Sequence, residues 1–240
     1  MISYNSLNNI NQLQKRAECI TIGRLAPDFI ALSTFGYIKL SDYKGKWLLI
    51  ASSPSAFSNV ATTEIIDAAL NYDKILERNA NMIGLTADTN NSNLAWVYDI
   101  YQKTGITVPF PIISDVDLAI SEMYGMLNPD KMYTETVRST FIIDPLGKIK
   151  AIYIVPSTSG KSFNELIRML DSIQIKQKYN LDTPAGWKQG DPVLLPNANS
   201  YQEIIDRMNN EEASGYHCPF WYVCYTNLNT ENTGGNTGIK

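Results

Sequence analysis

The side chains that carry most covalent and metal chemistry are scarce in this chain: one histidine, His217, and three cysteines, Cys19, Cys218 and Cys224. A Ser-His-Asp triad would need His217 to reach a distant serine, and no G-x-S-x-G elbow is present. His217, Cys218 and Cys224 supply at most three zinc ligands where a closed structural site takes four, and adjacent His and Cys are poorly spaced, so no metal is expected. Residues 155–162 (VPSTSGKS) end like a phosphate-binding loop. Such a loop needs glycine where Val155 stands, so nucleotide binding is rejected, and no cofactor is expected.

The elements that would position any site alternate between strand and helix from Gly23 to about Tyr179. Apolar runs predict strands over residues 46–51, 82–87 and 110–113, and helical spacing predicts helices over 62–78, 91–103 and 117–124. Two further strands, 139–143 and 149–155, flank the turn Asp144-Pro145-Leu146-Gly147, and a helix over 162–179 closes the first domain. A hairpin after β-α-β units means a mixed α/β sheet. The breaker-rich residues 183–192 lead to a helix over 200–209 and an aromatic strand over 220–225, a small α+β appendage. The expected organisation is an arm over 1–20, a main domain over 21–179, the appendage over 180–225 and a low-complexity tail over 226–240.

Composition sets the class. The 240 residues are 44% hydrophobic and 18% charged with a net charge of −4, which describes a soluble globular chain able to bury a sizeable core. The longest basic run is Lys15-Arg16, so an electrostatic footprint for nucleic acid is missing. The Asn-rich first twenty residues lack the apolar stretch of a secretory signal, and no run approaches the ~20 residues of a membrane helix. The expected location is the cytoplasm. In residues 1–20, Leu7, Ile10, Leu13, Ala17 and Ile20 fall three or four apart, fitting a helix packed on its own domain or an arm docked on another subunit.

Several ordered blocks carry a resemblance: Gly23-Arg24-Leu25-Ala26-Pro27-Asp28-Phe29, residues 40–47 (LSDYKGKW), residues 53–64 (SPSAFSNVATTE), residues 109–115 (PFPIISD), residues 136–145 (TVRSTFIIDP) and residues 183–187 (TPAGW). Over about residues 22–225 the chain resembles the peroxiredoxins of AhpC/TSA type, in particular the one-cysteine-like subfamily with a C-terminal extension. The resemblance implies a thioredoxin-like fold in which a thiolate on the first turn of a helix attacks the peroxide O–O bond. Its pattern is P-x-x-x-T-x-x-C with a distant arginine. The proline shields the site, the threonine holds peroxide oxygens, and the arginine and helix N-terminus lower the thiol pKa.

On this sequence the proline is Pro54, Ser58 stands for the threonine, Glu64 is the helix glutamate, Arg138 is the arginine, and the attacking cysteine falls on Ala61. A methyl group is not a nucleophile, so the thiol-peroxidase reaction has no first step unless cysteine is the natural residue. Ser53, Ala56, Ser58, Asn59 and Asn93 also depart from the subfamily's usual residues, which favours natural loss over a single engineered change. Without a thiolate, Arg138 is expected to pair with Glu64. A residual pocket around Pro54, Ser58 and Arg138 that holds a small anion is a further reading.

Cys224 resembles the resolving cysteine of some extended peroxiredoxins. With Ala61 in place its usual partner is missing, leaving free thiols, a local Cys218–Cys224 bond or bonds between chains. A local bond needs Cα atoms within ~7 Å, which six extended steps do not permit but a turn does. Free thiols rank first in a reducing cytoplasm. The resemblance also implies a two-fold homodimer that commonly joins into larger rings. The expectation is a non-catalytic, self-assembling subunit, with incorporation into a coat, filament or surface layer as one outcome, and a thiol-dependent peroxidase as its rival.

Overall fold

A computed structural model describes residues 20–128, 134–211 and 213–228. The expected arm and tail, apart from Ile20 and residues 226–228, lie outside them. The described residues up to Asn164 form one compact unit and those from Glu165 a second.

In the first unit the elements run β1 (Ile30–Ser33), β2 (Gly36–Lys39), β3 (Trp47–Ser52), α1 (Asn59–Leu70), α2 (Tyr72–Leu76), β4 (Ala80–Thr86), α3 (Asn90–Thr104), β5 (Ile112–Ser114), α4 (Ala119–Met123), β6 (Ser139–Ile143) and β7 (Ile149–Ile154). The strands make one sheet in the order β2-β1-β5-β4-β3-β6-β7. Its centre, β3-β4-β5, is parallel and the rest antiparallel, so the sheet is mixed, a thioredoxin-like arrangement. All six residues of β3 are buried, which accounts for an unbroken apolar run where a half-exposed strand would alternate. Leu48, Ile50, Phe141 and Ile143 lie in one core cluster with Phe29 and Tyr124. Their neighbours Ala51, Ser53, Arg138 and Thr140 therefore project to the opposite face, because side chains alternate along a strand.

Several predicted boundaries are corrected. Helix 62–78 is two helices: it begins at Asn59, and the Asn71 side chain turns back to donate to the Asp67 carbonyl at 2.8 Å and carboxylate at 2.9 Å, interrupting the helix before Tyr72. This local competition for backbone acceptors is a general habit of Asn. The hairpin β1–β2 was not predicted. Its strands have four residues each; Ile30 and Tyr37 on the strands and Phe35 in the turn are exposed, burial alternates along β1 but not β2, and Gly36, at φ 89°, marks the turn. Gly105, at φ 73°, ends α3 in the left-handed conformation.

The second unit holds α5 (Phe163–Tyr179) from Glu165 onward, β8 (Val193–Leu194), α6 (Tyr201–Asn209), β9 (Tyr216–Phe220) and β10 (Val223–Thr226), the strands ordered β8-β10-β9. The predicted aromatic strand over 220–225 is corrected: the chain turns at Trp221-Tyr222, and Val223 pairs back onto Phe220. Among the described residues no helix is long and apolar enough to cross a membrane.

Candidate functional site

Strand β3 delivers the chain to a loop over residues 53–58 at its carboxyl end, a usual place for sites in sheets with parallel centres. The loop is pinned: the Ala56 N–H donates to the Asp88 carboxylate at 2.6 Å, and the Ser58 hydroxyl donates to the Ser55 carbonyl at 3.1 Å. Ser58 is the N-cap of α1 in extended conformation, yet its side chain makes no capping bond. Thr62 links the turn to the next helix, donating to the Ser58 carbonyl at 2.8 Å and accepting from Trp96 Nε1 at 3.0 Å. Pro54 is half-buried beside these residues.

Helix α1 buries Ala61, Glu64, Ile65 and Ala68, the i, i+3, i+4, i+7 face that turns toward the sheet. Ala61 is 0% exposed and sits on the first turn, with Glu64 one turn further along the same face. Glu64 is 3% exposed and collects four donors. Arg138 Nη1 and Lys161 Nζ both pair with Oε2, the latter at 3.3 Å; Ser53 Oγ donates to the same oxygen at 3.3 Å; and the Lys161 backbone N–H donates to Oε1 at 2.6 Å. Arg138 Nη2 also donates to the Ser157 carbonyl at 3.1 Å, and Lys161 Nζ to the Ser52 carbonyl at 3.0 Å.

The electrostatics are lopsided. Arg138 and Lys161, 2% and 5% exposed, place two cations against the single carboxylate of Glu64. Burial pushes the Lys161 ammonium down to about 8 despite the attraction of Glu64, and the Arg138 charge pushes the same way as burial.

The structure thus brings Glu64 and Arg138 into contact, with Ala61 on the shared helix face and Pro54 and Ser58 on the loop that leads into it. Lys161 was missed. Its Gly160-Lys161-Ser162 setting was weighed only as a phosphate loop, whereas the segment folds over α1, a Cβ on Gly160 lying 3.6 Å from Val60 and 3.8 Å from Glu64 side-chain atoms. Asn93 is fully buried, accepting from Thr86 Oγ1 at 2.9 Å and donating to the Ile113 carbonyl at 3.3 Å.

Cys218 and Cys224 belong to the second unit, and the expectation of free thiols is corrected there. They form a disulfide, their Cα atoms 4.0 Å apart, because the turn at Trp221-Tyr222 folds β10 back beside β9. His217 pairs through Nδ1 with Glu211 at 2.7 Å, and no group of three or more His, Cys, Asp and Glu able to hold a metal occurs among the described residues.

The profile of the AhpC/TSA family matches residues 22–152, and that of the C-terminal domain of 1-Cys peroxiredoxin matches residues 172–211. The chain belongs to the peroxiredoxin family. Peroxiredoxin 2 of Caldanaerobacter subterraneus subsp. tengcongensis is 46% identical over 85% of this chain and 91% of its own length, and a peroxiredoxin of Aquifex aeolicus is 37% identical over 85% and 95%. Among solved structures, a yeast mitochondrial 1-Cys peroxiredoxin superposes with a TM-score of 0.77 at 31% identity, covering 86% of this chain and 99% of the other. A cysteine-to-serine mutant of peroxiredoxin 6 of Arenicola marina gives 0.76 at 30%, covering 87% and 98%. The peroxiredoxin fold is therefore matched along nearly the whole length of these relatives.

Proposed function

We propose that this chain is a peroxiredoxin-fold protein that has lost the attacking thiol at Ala61 and serves as a self-assembling structural subunit in the cytoplasm. The observation that carries the reading is the pairing of a buried methyl group on the first turn of α1 with an Arg138 that spends its charge on Glu64. An alanine there has no lone pair with which to attack peroxide. Assembly is supported by the outer edge of β2, which no other described strand pairs, and by the exposed Ile30, Phe35 and Tyr37 on its hairpin, since unpaired edges and apolar surface invite pairing. Residues 1–20 and 226–240 lie outside both family profiles and are the further candidates for contacts.

A second reading, favoured by the retained Pro54, Glu64 and Arg138, is a thiol-dependent peroxide reductase whose natural residue at position 61 is cysteine. One experiment separates the two. The first reading expects that the protein leaves hydrogen peroxide unconsumed with dithiothreitol as reductant. It also expects that Ala61→Cys stays far below family turnover, because the Ser58 hydroxyl is committed to the Ser55 carbonyl and that of Ser53 to Glu64. Turnover by Ala61→Cys at rates typical of the family sinks the first reading and sustains the second.

Assembly has its own test. Light scattering of the full chain should give a species larger than a dimer, and deleting residues 1–20 and 226–240 should reduce its size. A simple dimer indifferent to both deletions overturns the structural role.

A further inference from the structure

The first unit holds a cavity at the amino end of β3, away from the loop that leads to Ala61. Its volume is about 240 Å³, and it opens among residues 25–28, 41–46 and 144–147. The six residues of β3, roughly 17 Å of extended chain, separate it from that loop. Its rim is tied together. The Gly45 N–H donates to the Pro145 carbonyl at 3.0 Å, and the Ala26 N–H donates to the Gly147 carbonyl at 2.8 Å. Leu25 lies over the turn at 144–147, its Cδ2 3.9 Å from where a Cβ on Gly147 would stand.

The floor is apolar: Leu40, Leu48 and Ile143 line it and belong to the main core cluster. At the mouth Leu25 and Leu146 are 65% and 71% exposed, apolar surface that a guest would remove from water. The charges there do not cancel. Asp28 accepts from the Ser41 N–H at 3.1 Å and has Lys39 Nζ at 3.9 Å. Asp144 accepts from the Leu146 and Lys148 N–H groups at 3.0 and 2.8 Å and has Lys150 Nζ at 4.0 Å. Both lining carboxylates are thus answered by backbone donors and by lysines that do not line the cavity. Lys44 and Lys46 line the same opening, are exposed, and form no ion pair among the described residues. The half-buried Tyr43 adds a hydroxyl that burial keeps protonated into alkaline solution.

We propose that this cavity binds a compact amphipathic monocarboxylate, an arylalkanoate no larger than a phenyl ring on a short chain. Its apolar body rests on Leu40, Leu48 and Ile143 and covers Leu25 and Leu146, and its carboxylate meets Lys44 and Lys46 at the mouth. The volume sets the size: drug-sized ligands occupy about 300–1,000 Å³, and this cavity is smaller. The acyl chains of a membrane lipid are too long to be enclosed. The two cations in excess set the charge, and the apolar floor disfavours a fully hydrated anion such as phosphate, which would lose water there without gaining donors. The site shares no residue with the Glu64 cluster and does not depend on what stands at position 61.

The test titrates the full chain with phenylpropionate at constant ionic strength, beside its neutral amide, which lacks the charge, and acetate, which lacks the body. The expected result is a saturable rise in Tm of about 3–5 °C at about ten times Kd, since a ligand that binds only the folded state stabilises it by mass action. Backbone amide NMR shifts should be confined to residues 25–28, 40–48 and 143–147, and the amide and acetate should produce neither effect. The double variant Lys44→Gln/Lys46→Gln, altered at exposed positions without ion pairs, should stay folded and bind about tenfold more weakly. Leu146→Glu should abolish binding, and Ala61→Cys should bind as the parent does. No response to phenylpropionate, shifts centred elsewhere, equal binding of the amide, or binding indifferent to these substitutions overturns the proposal. So does binding that appears only after residues 1–19 are deleted, which makes that segment the occupant. Flotation of the full chain with anionic phospholipid vesicles, abolished by the lysine substitutions, also overturns it and makes the opening a membrane contact.

Discussion

Glu64→Gln should destabilise the protein by about 3–5 kcal/mol at neutral pH, the range in which removing one partner of a buried ion pair leaves its counterparts uncompensated. The side chain is almost isosteric, so packing changes little and the cost is electrostatic. Gln keeps one acceptor oxygen for the Ser53 hydroxyl or the Lys161 N–H but offers no charge to Arg138 or Lys161. The two cations do not respond alike. Lys161, already depressed, can shed its proton and escape part of the penalty, whereas a guanidinium stays charged at any accessible pH. Urea unfolding at pH 7 and pH 9 reads this difference: the loss should be smaller at pH 9. Adding Lys161→Met to Glu64→Gln should recover part of the loss, a coupling that a double-mutant cycle isolates. A loss under 1 kcal/mol at pH 7 would mean that Glu64 contributes nothing a neutral amide does not.

How the sequence anticipates this site divides along a physical line. Ala61, Glu64 and the loop from Pro54 to Ser58 fall within one short stretch, so a local motif places them on one turn of one helix. Arg138 is far off in sequence, but it immediately precedes β6, whose apolar run is plain and which pairs in register with β3. Lys161 follows neither route. It belongs to no helix or strand, its lysine is paired across 97 residues with Glu64, and its local pattern imitates a different chemistry. Only the folded chain shows that a lysine outside any periodic element is buried.

The same line explains the misread elements. The order of strands β3, β4, β6 and β7 and the helices between them follow from apolar periodicity, which burial enforces. Asn71 breaks a helix through hydrogen bonds of its own side chain, an effect periodicity does not register. The turn at Trp221-Tyr222 is hidden for a related reason: aromatic residues favour strands, and here they sit exposed at a hairpin tip that the Cys218–Cys224 bond closes. Six residues counted as extended keep two cysteines apart, and the same six folded back bring them together. The free-thiol expectation rests on a reducing compartment, and the turn that makes the local bond possible is what the strand reading conceals.

Stability should rise as the solution is made alkaline between pH 8 and pH 10, opposite to the behaviour of most proteins, and Lys161 is the cause. Its folded pKa of about 8 lies below the ordinary lysine value of 10.5. Between those values the unfolded chain binds a proton that the folded chain has released, so the unfolded state holds more protons and the free energy of unfolding climbs with pH. The interval of about 2.5 units corresponds to about 3 kcal/mol, at about 1.4 kcal/mol per unit. Below pH 8 both states are protonated and the full cost of the buried charge is carried. Near pH 10 the tyrosines intervene with the opposite sign. Burial raises the pKa of Tyr43, Tyr72 and Tyr124, so the unfolded chain loses protons that the folded chain keeps, and stability falls again. Chemical denaturation at half-unit steps from pH 7 to 11 should therefore show a maximum near pH 10. In Lys161→Met, where nothing at that position titrates, the rise from pH 8 should vanish while the fall above pH 10 persists. A rise that survives the substitution would place its origin elsewhere, and a flat wild-type profile would mean that Lys161 stays charged in the fold, with Glu64 outweighing both its burial and the neighbouring guanidinium.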